Sequence, residues 1–170
     1  MATIEKRGIF LVDDEPIQNE MLKDYLSERF NYDIKTFDNG EDAIKNMHED
    51  PFIMVLDFHL SAHNPAAKNG VEVLKEMKEK HPNTEVIMLS GQDKIEVAID
   101  SMKYGAYDYV VKGETAFSRM ENIINNVSRM HQMKAIHGAQ KKTIALMAVV
   151  ICLIILLSVF LWWKGAYGSL

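Results

Sequence analysis

Short apolar runs and longer stretches of helical spacing take turns along most of the chain. Gly8-Ile9-Phe10-Leu11-Val12, Phe52-Ile53-Met54-Val55-Leu56 and Val86-Ile87-Met88-Leu89 are unbroken by polar side chains, the pattern of strands buried on both faces of a parallel sheet. Tyr32–Phe37 and Tyr107–Val111 predict two further strands. Between the strands, apolar residues recur at helical intervals. Pro16 suits the first turn of a helix carrying Ile17, Met21, Leu22, Tyr25, Leu26 and Phe30. Asp38-Asn39-Gly40 turns into a helix with Ala43, Ile44 and Met47, which Asp50-Pro51 stops. Val71, Val73, Leu74 and Met77 define a helix over 70–80, ended by His81-Pro82-Asn83. A weaker helix follows over 95–104, closed by Gly105, and Phe117, Met120, Ile124 and Val127 mark the last one. Five strands alternating with five helices predict an α/β fold, a parallel sheet covered on both faces.

Residues 144–163 are a different material: 20 residues without a charge, interrupted only by Ser158. At about 1.5 Å per residue such a helix is about 30 Å long, the hydrocarbon thickness of a bilayer. Lys141 and Lys142 flank one end; Trp162, Trp163 and Lys164 mark the other. Arg129, Lys134, Lys141 and Lys142 precede the run and Lys164 alone follows it, which predicts the main domain in the cytoplasm. The expected organisation is a globular domain over 1–130, a helical extension and basic juxtamembrane segment over 131–142, a single-pass helix in the lipid bilayer of the inner membrane over 143–164, and a short extracytoplasmic tail over 165–170. Met1 to Arg7 is polar and shows no signal peptide.

Charge is unevenly spread. All 24 Asp and Glu lie before residue 140 together with 16 of the 19 Lys and Arg, so that part carries a net −8. An acidic domain without a basic stripe excludes nucleic acid as a partner. The single cysteine, Cys152, excludes an internal disulfide and a cysteine-built metal site.

The chemistry is placed by where strands end. The central run closes on Asp57 and the first strand on Asp13-Asp14; in open α/β sheets, ligands bind beyond these carboxyl ends. Three carboxylates at one edge repel one another unless a cation lies between them. The other strands close on Ser90 and Lys112. This set in this order resembles the receiver domain of two-component response regulators: an Asp pair after strand one, Asp after strand three, Ser or Thr after strand four, and aromatic-x-x-Lys on strand five, here Tyr109-Val110-Val111-Lys112. The resemblance spans about residues 7 to 130.

It implies a flavodoxin-like, doubly wound (βα)5 fold and a phosphoacceptor rather than a dedicated enzyme. Asp57 would take a phosphoryl group from a sensor histidine kinase or a histidine phosphotransfer protein, and a carboxylate is a competent nucleophile. Mg2+ (or Mn2+) would be held by Asp14 and Asp57 directly, Asp13 through water and His59 through its backbone carbonyl. Lys112 and Ser90 would contact phosphoryl oxygens, Ser90 and Tyr109 would form the switch, and His59 and Gln92 would modulate dephosphorylation. A phosphorylation-dependent homodimer through the fourth helix, fifth strand and fifth helix is a further implication. Three features depart from the family: Gly113 stands where Pro usually follows the lysine, the glycine expected eight residues after Asp57 comes thirteen on, at Gly70, and the expected membrane anchor follows where most members carry an output domain. The competing reading is a phosphorylation-independent pseudo-receiver serving as a membrane adaptor; retention of the acids and lysine argues against it. A dehalogenase-type hydrolase needs a second Asp two residues on, where His59 stands.

Overall fold

The computed structural model describes residues 8–60, 67–91 and 95–167, with backbone only over 134–145 and 161–167. The elements are β1 (Gly8–Val12), α1 (Pro16–Ser27), β2 (Asp33–Phe37), α2 (Gly40–Lys45), a 3-10 turn (Met47–Glu49), β3 (Ile53–Asp57), α3 (Gly70–Lys80), β4 (Glu85–Ser90), α4 (Ile95–Lys103), β5 (Asp108–Val111) and α5 (Ala116–Tyr167). The strands form one parallel sheet in the order β2-β1-β3-β4-β5. This is the flavodoxin-like winding expected, and strand order reverses between β1 and β3, where a crevice opens at the carboxyl edge. Every residue of β3 is buried, as its unbroken apolar run requires. Phe10, Met54, Leu56, Leu74, Met77 and Met88 make the core of one face with Val73 and Met47.

Local departures from the sequence reading have identifiable causes. Helix α1 ends at Ser27 rather than continuing through Phe30, its last turn closed by Glu28 and Phe30 N–H donating to the Asp24 and Leu26 carbonyls. Its buried stripe is Asn19, Leu22 and Leu26, while Ile17 and Met21 stand 75% and 53% exposed. Ile17 lies about 140° around the helix from Leu22, so both cannot face the sheet. Met47 belongs to a separate 3-10 turn, because Asp50 adopts a left-handed conformation (φ 51°) that reverses the chain into β3. Helix α3 begins with a full capping box: the Asn69 side chain accepts from Val71 and Glu72 N–H, and Glu72 accepts from Asn69 N–H.

The chain divides into two compact units, Met1–Asn125 and Asn126–Leu170. The second is helical through Tyr167, and its described side chains over Leu146–Phe160 are all exposed. The single-pass placement in the inner membrane, with its lipid contact and outer tail, is corrected here: among the described residues no helix is long and apolar enough to cross a membrane.

Candidate functional site

Four strand ends converge on the β1/β3 crevice, and backbone ties hold them in register. Asp13 N–H donates to Phe37 O at 3.1 Å, Phe58 N–H to Leu89 O at 2.9 Å, and Lys112 N–H to Ser90 O at 2.7 Å. The edge is thereby fixed beyond the last ladder bonds, which places Asp13, Asp57, Ser90 and Lys112 on rigid posts. The glycine thirteen residues after Asp57 has a steric reason. A Cβ on Gly70 would lie 2.2 Å from Asp57 O and 2.8 Å from Phe58 Cα, and Gly70 N–H donates to Phe58 O at 2.9 Å. Helix α3 therefore starts directly against the backbone that presents Asp57.

Asp13, Asp14 and Asp57 offer ligand oxygens that all lie within 4.8 Å of one another. Asp13 and Asp57 are 3% and 1% exposed, and Asp14 is half-buried. Lys112 Nζ stands between the two buried acids, 2.6 Å from Asp13 Oδ2 and 2.8 Å from Asp57 Oδ1. Asp13 Oδ1 also accepts from Glu15 N–H at 3.0 Å. Asp57 Oδ2 accepts from His59 N–H at 2.6 Å, whereas Oδ1 is buried without a directed hydrogen bond among the described residues. The contact from Lys112 to Oδ1 is thus a charge pair outside hydrogen-bond geometry. Burial pushes the Asp57 carboxyl above its ordinary range, opposed by Lys112 and reinforced by the neighbouring Asp13 charge. For Lys112, burial works to lower the ammonium's pKa, but the hydrogen bond to Asp13 and the contact with Asp57 outweigh it and the net shift is upward.

Three clustered carboxylates, two of them buried, fit a hard divalent cation with oxygen preference. The other expected residues fall as follows. Ser90 ends β4 and is fully buried; Tyr109 is buried at 9% exposure on β5; His59 is half-buried with its ring edge-on to Phe58 at 4.7 Å between centroids. No cis peptide bond occurs among the described residues, so Lys112–Gly113 is trans. Gln92 and residues 61–66 of the longer loop lie outside the described residues. Sequence reasoning missed Asn19, whose signal was a polar residue on the buried stripe of α1.

A parallel sheet with a buried acidic cluster and a lysine at its switch point defines a doubly wound α/β domain with a cation-binding edge. The chain belongs to the response regulator receiver domain family, which it matches over residues 9–125. It is similar to the transcriptional regulatory protein CssR of Bacillus subtilis, at 36% identity over 104 residues, covering 61% of this chain and 44% of that protein. The chain spans about half the length of the curated relatives CssR and MalR. Among solved structures, the response regulator TrrA of Thermotoga maritima in complex with Mg(2+)-BeF is 29% identical with a TM-score of 0.61, covering 71% of this chain and 98% of that one. The receiver domain of a LuxO repressor protein from Vibrio parahaemolyticus shares the fold at 22% identity and a TM-score of 0.66, covering 77% of this chain and 97% of that one. Receivers are regulatory phosphoacceptors that interact with histidine kinases or phosphotransfer proteins, and Mg2+ is the cofactor of their acidic cluster, here Asp13, Asp14 and Asp57.

Proposed function

We propose that this chain accepts a phosphoryl group on Asp57 in a two-component phosphorelay, from the phosphohistidine of a sensor kinase or a histidine phosphotransfer protein, and switches protein–protein interactions in response. The observation that carries the reading is Asp57 itself: a carboxylate 1% exposed at the end of β3, beside two further acids, with Lys112 Nζ 2.8 Å from its Oδ1. Keeping such a group buried is costly unless the site is built to receive something.

In the transfer, a carboxylate oxygen of Asp57 forms the new O–P bond as the P–N bond to the donor imidazole breaks, and the imidazole nitrogen keeps the electron pair. Lys112, already between Asp13 and Asp57, offers its ammonium to the phosphoryl oxygens, and the Ser90 hydroxyl donates to another. Mg2+, when bound, supplies positive charge that offsets the anionic phosphoryl group. Asp14 and Asp57 would hold it directly, with the His59 backbone carbonyl. Asp13 would act through water, since its two oxygens already accept from Glu15 N–H and Lys112. Movement of Ser90 toward the phosphoryl group frees space that the buried Tyr109 ring follows. On the family's pattern His59 and Gln92 are assigned the modulation of dephosphorylation, Gln92 lying outside the described residues. Ile95, Ile99 and Met102 form an exposed apolar stripe on α4, which supports phosphorylation-dependent pairing of two copies through α4, β5 and α5.

The test is phosphotransfer from a radiolabelled phosphohistidine donor to the full chain and to Asp57→Asn. The reading expects Mg2+-dependent label on the first and none on the second; equal label on both would overturn it.

A further inference from the structure

We infer that Asn19 is the positioning residue of the acidic cluster, a buried amide that fixes how Asp13 and Asp14 leave the sheet and thereby sets Mg2+ affinity. The inference rests on the metal-binding role given to these carboxylates above.

The β1–β2 ladder ends at the Val12–Phe37 pair; just past it Phe37 O accepts from Asp13 N–H at 3.1 Å, and the carbonyl of the buried Asp13 follows. The Asp13 carbonyl, beyond the last ladder pair, needs a donor from elsewhere. Asn19, 3% exposed on the first turn of α1, supplies two: its Nδ2 donates to Asp13 O at 2.9 Å and to Phe37 O at 3.1 Å. Its own backbone N–H donates to Glu15 O at 3.2 Å. One side chain therefore joins the ends of β1 and β2 to the start of α1. The turn between these anchors is Asp13-Asp14-Glu15, which holds two of the three candidate ligands. Asp13's carboxylate is fastened at both oxygens, to Glu15 N–H and to Lys112. With the Asp13 carbonyl also held by Asn19, the turn is tied at its backbone and at the Asp13 carboxylate. Mg2+ demands near-ideal octahedral geometry and tolerates displaced ligands poorly. Outer residues that orient metal ligands typically control affinity by about 10- to 100-fold.

A buried polar side chain can also matter for folding alone, and the molecule contains its own control. The Thr84 hydroxyl, 2% exposed, donates to Pro51 O at 2.9 Å at the opposite edge of the sheet. Asn19→Ala and Thr84→Val both remove a buried side-chain bond to a carbonyl, and only the first touches the turn. The measurement is Mn2+ binding by the full chain, followed as loss of the free-ion paramagnetic resonance signal, with Mg2+ as competitor and thermal midpoints recorded alongside. Asn19→Ala is expected to weaken Mg2+ by about tenfold or more. Asn19→Ser, which keeps one donor and serves where the alanine variant fails to fold, should fall between it and wild type. Thr84→Val should lower the thermal midpoint and leave Mg2+ affinity unchanged. Wild-type affinity in a folded Asn19 variant, or an equal loss in Thr84→Val, would overturn the inference. Wild-type protein that leaves Mn2+ free would instead bring down the metal reading itself.

Discussion

Gly70→Ala is a probe of how Asp57 is aimed. The added Cβ would sit 2.2 Å from Asp57 O, while real Cβ contacts stay beyond 3.0 Å, so the two backbones must separate by about 0.8 Å. No side chain can rotate away, because the obstructing atoms are the backbone of Asp57 and Phe58. The Gly70 N–H to Phe58 O bond at 2.9 Å resists the separation and would be stretched or lost. Overpacking of this kind costs about 1–3 kcal/mol. The chemical penalty is expected to exceed the stability penalty, since a misplacement of about 1 Å at a reacting group can cost about 100-fold in rate. Gly113→Ala is the matched control: it adjoins Lys112, and its Cβ would meet nothing within 4 Å. Urea denaturation reads the stability, and the initial rate of phosphate incorporation from acetyl phosphate in excess Mg2+ reads the chemistry. Gly70→Ala should lose about 1–3 kcal/mol and about 10- to 100-fold in rate. Gly113→Ala should stay within about 0.5 kcal/mol of wild type. A Gly70→Ala protein with wild-type stability and rate would refute the claim that α3 fixes Asp57 through this contact.

Metal-free stability should fall as pH rises, in the direction Asp57 dictates. Its pKa is raised on folding from the ordinary 3.8, so folding takes up a proton and stability declines from that pH through the higher folded value. Asp57→Asn, with no charge to desolvate, should be more stable than wild type at neutral pH and equal to it in acid; denaturant titrations in chelator would contradict this by showing the variant weaker at neutral pH. Glu76 works in the opposite sense: Lys68 and then Lys80 hold its carboxyl down from 4.5 to about 2. Its contribution is full above pH 4.5 and is lost as pH falls toward about 2, so Glu76→Gln should cost up to about 1 kcal/mol at neutral pH and nothing in strong acid. Ser90→Ala should slow phosphate incorporation roughly tenfold or more by removing a hydrogen bond to a charged group, with a smaller change in midpoint temperature; an unchanged rate would remove the hydroxyl from the site.

The sequence was most legible where burial is two-sided. Strands β1, β3 and β4 show unbroken apolar runs because helices cover both faces of the sheet, and the acids at their ends inherit that certainty of position. Asp13, Asp57 and Lys112 meet as their strand ends imply. Periodicity was less reliable on α1, where Ile17 and Met21 match a helical spacing yet point outward, and polar Asn19 takes the inward place. A pattern of apolar residues cannot show a buried amide whose partners are two carbonyls, one of them 18 residues away at Phe37. The crowding at Gly70 was similarly hidden, since a glycine's spacing records that space is short without naming what fills it. The apolar run after residue 143 suggested a membrane span, whereas among the described residues no helix is long and apolar enough to cross one.

The most direct test of the phosphoacceptor claim is to locate the phosphate. The full chain is incubated with acetyl phosphate and Mg2+, reduced with borohydride, which converts an aspartyl phosphate to homoserine, and digested for mass spectrometry. The buried carboxylate beside Lys112 predicts homoserine at Asp57, its absence when Mg2+ is chelated, and no conversion in Asp57→Asn. Conversion at another acid with Asp57 intact, or none in the presence of Mg2+, would contradict it.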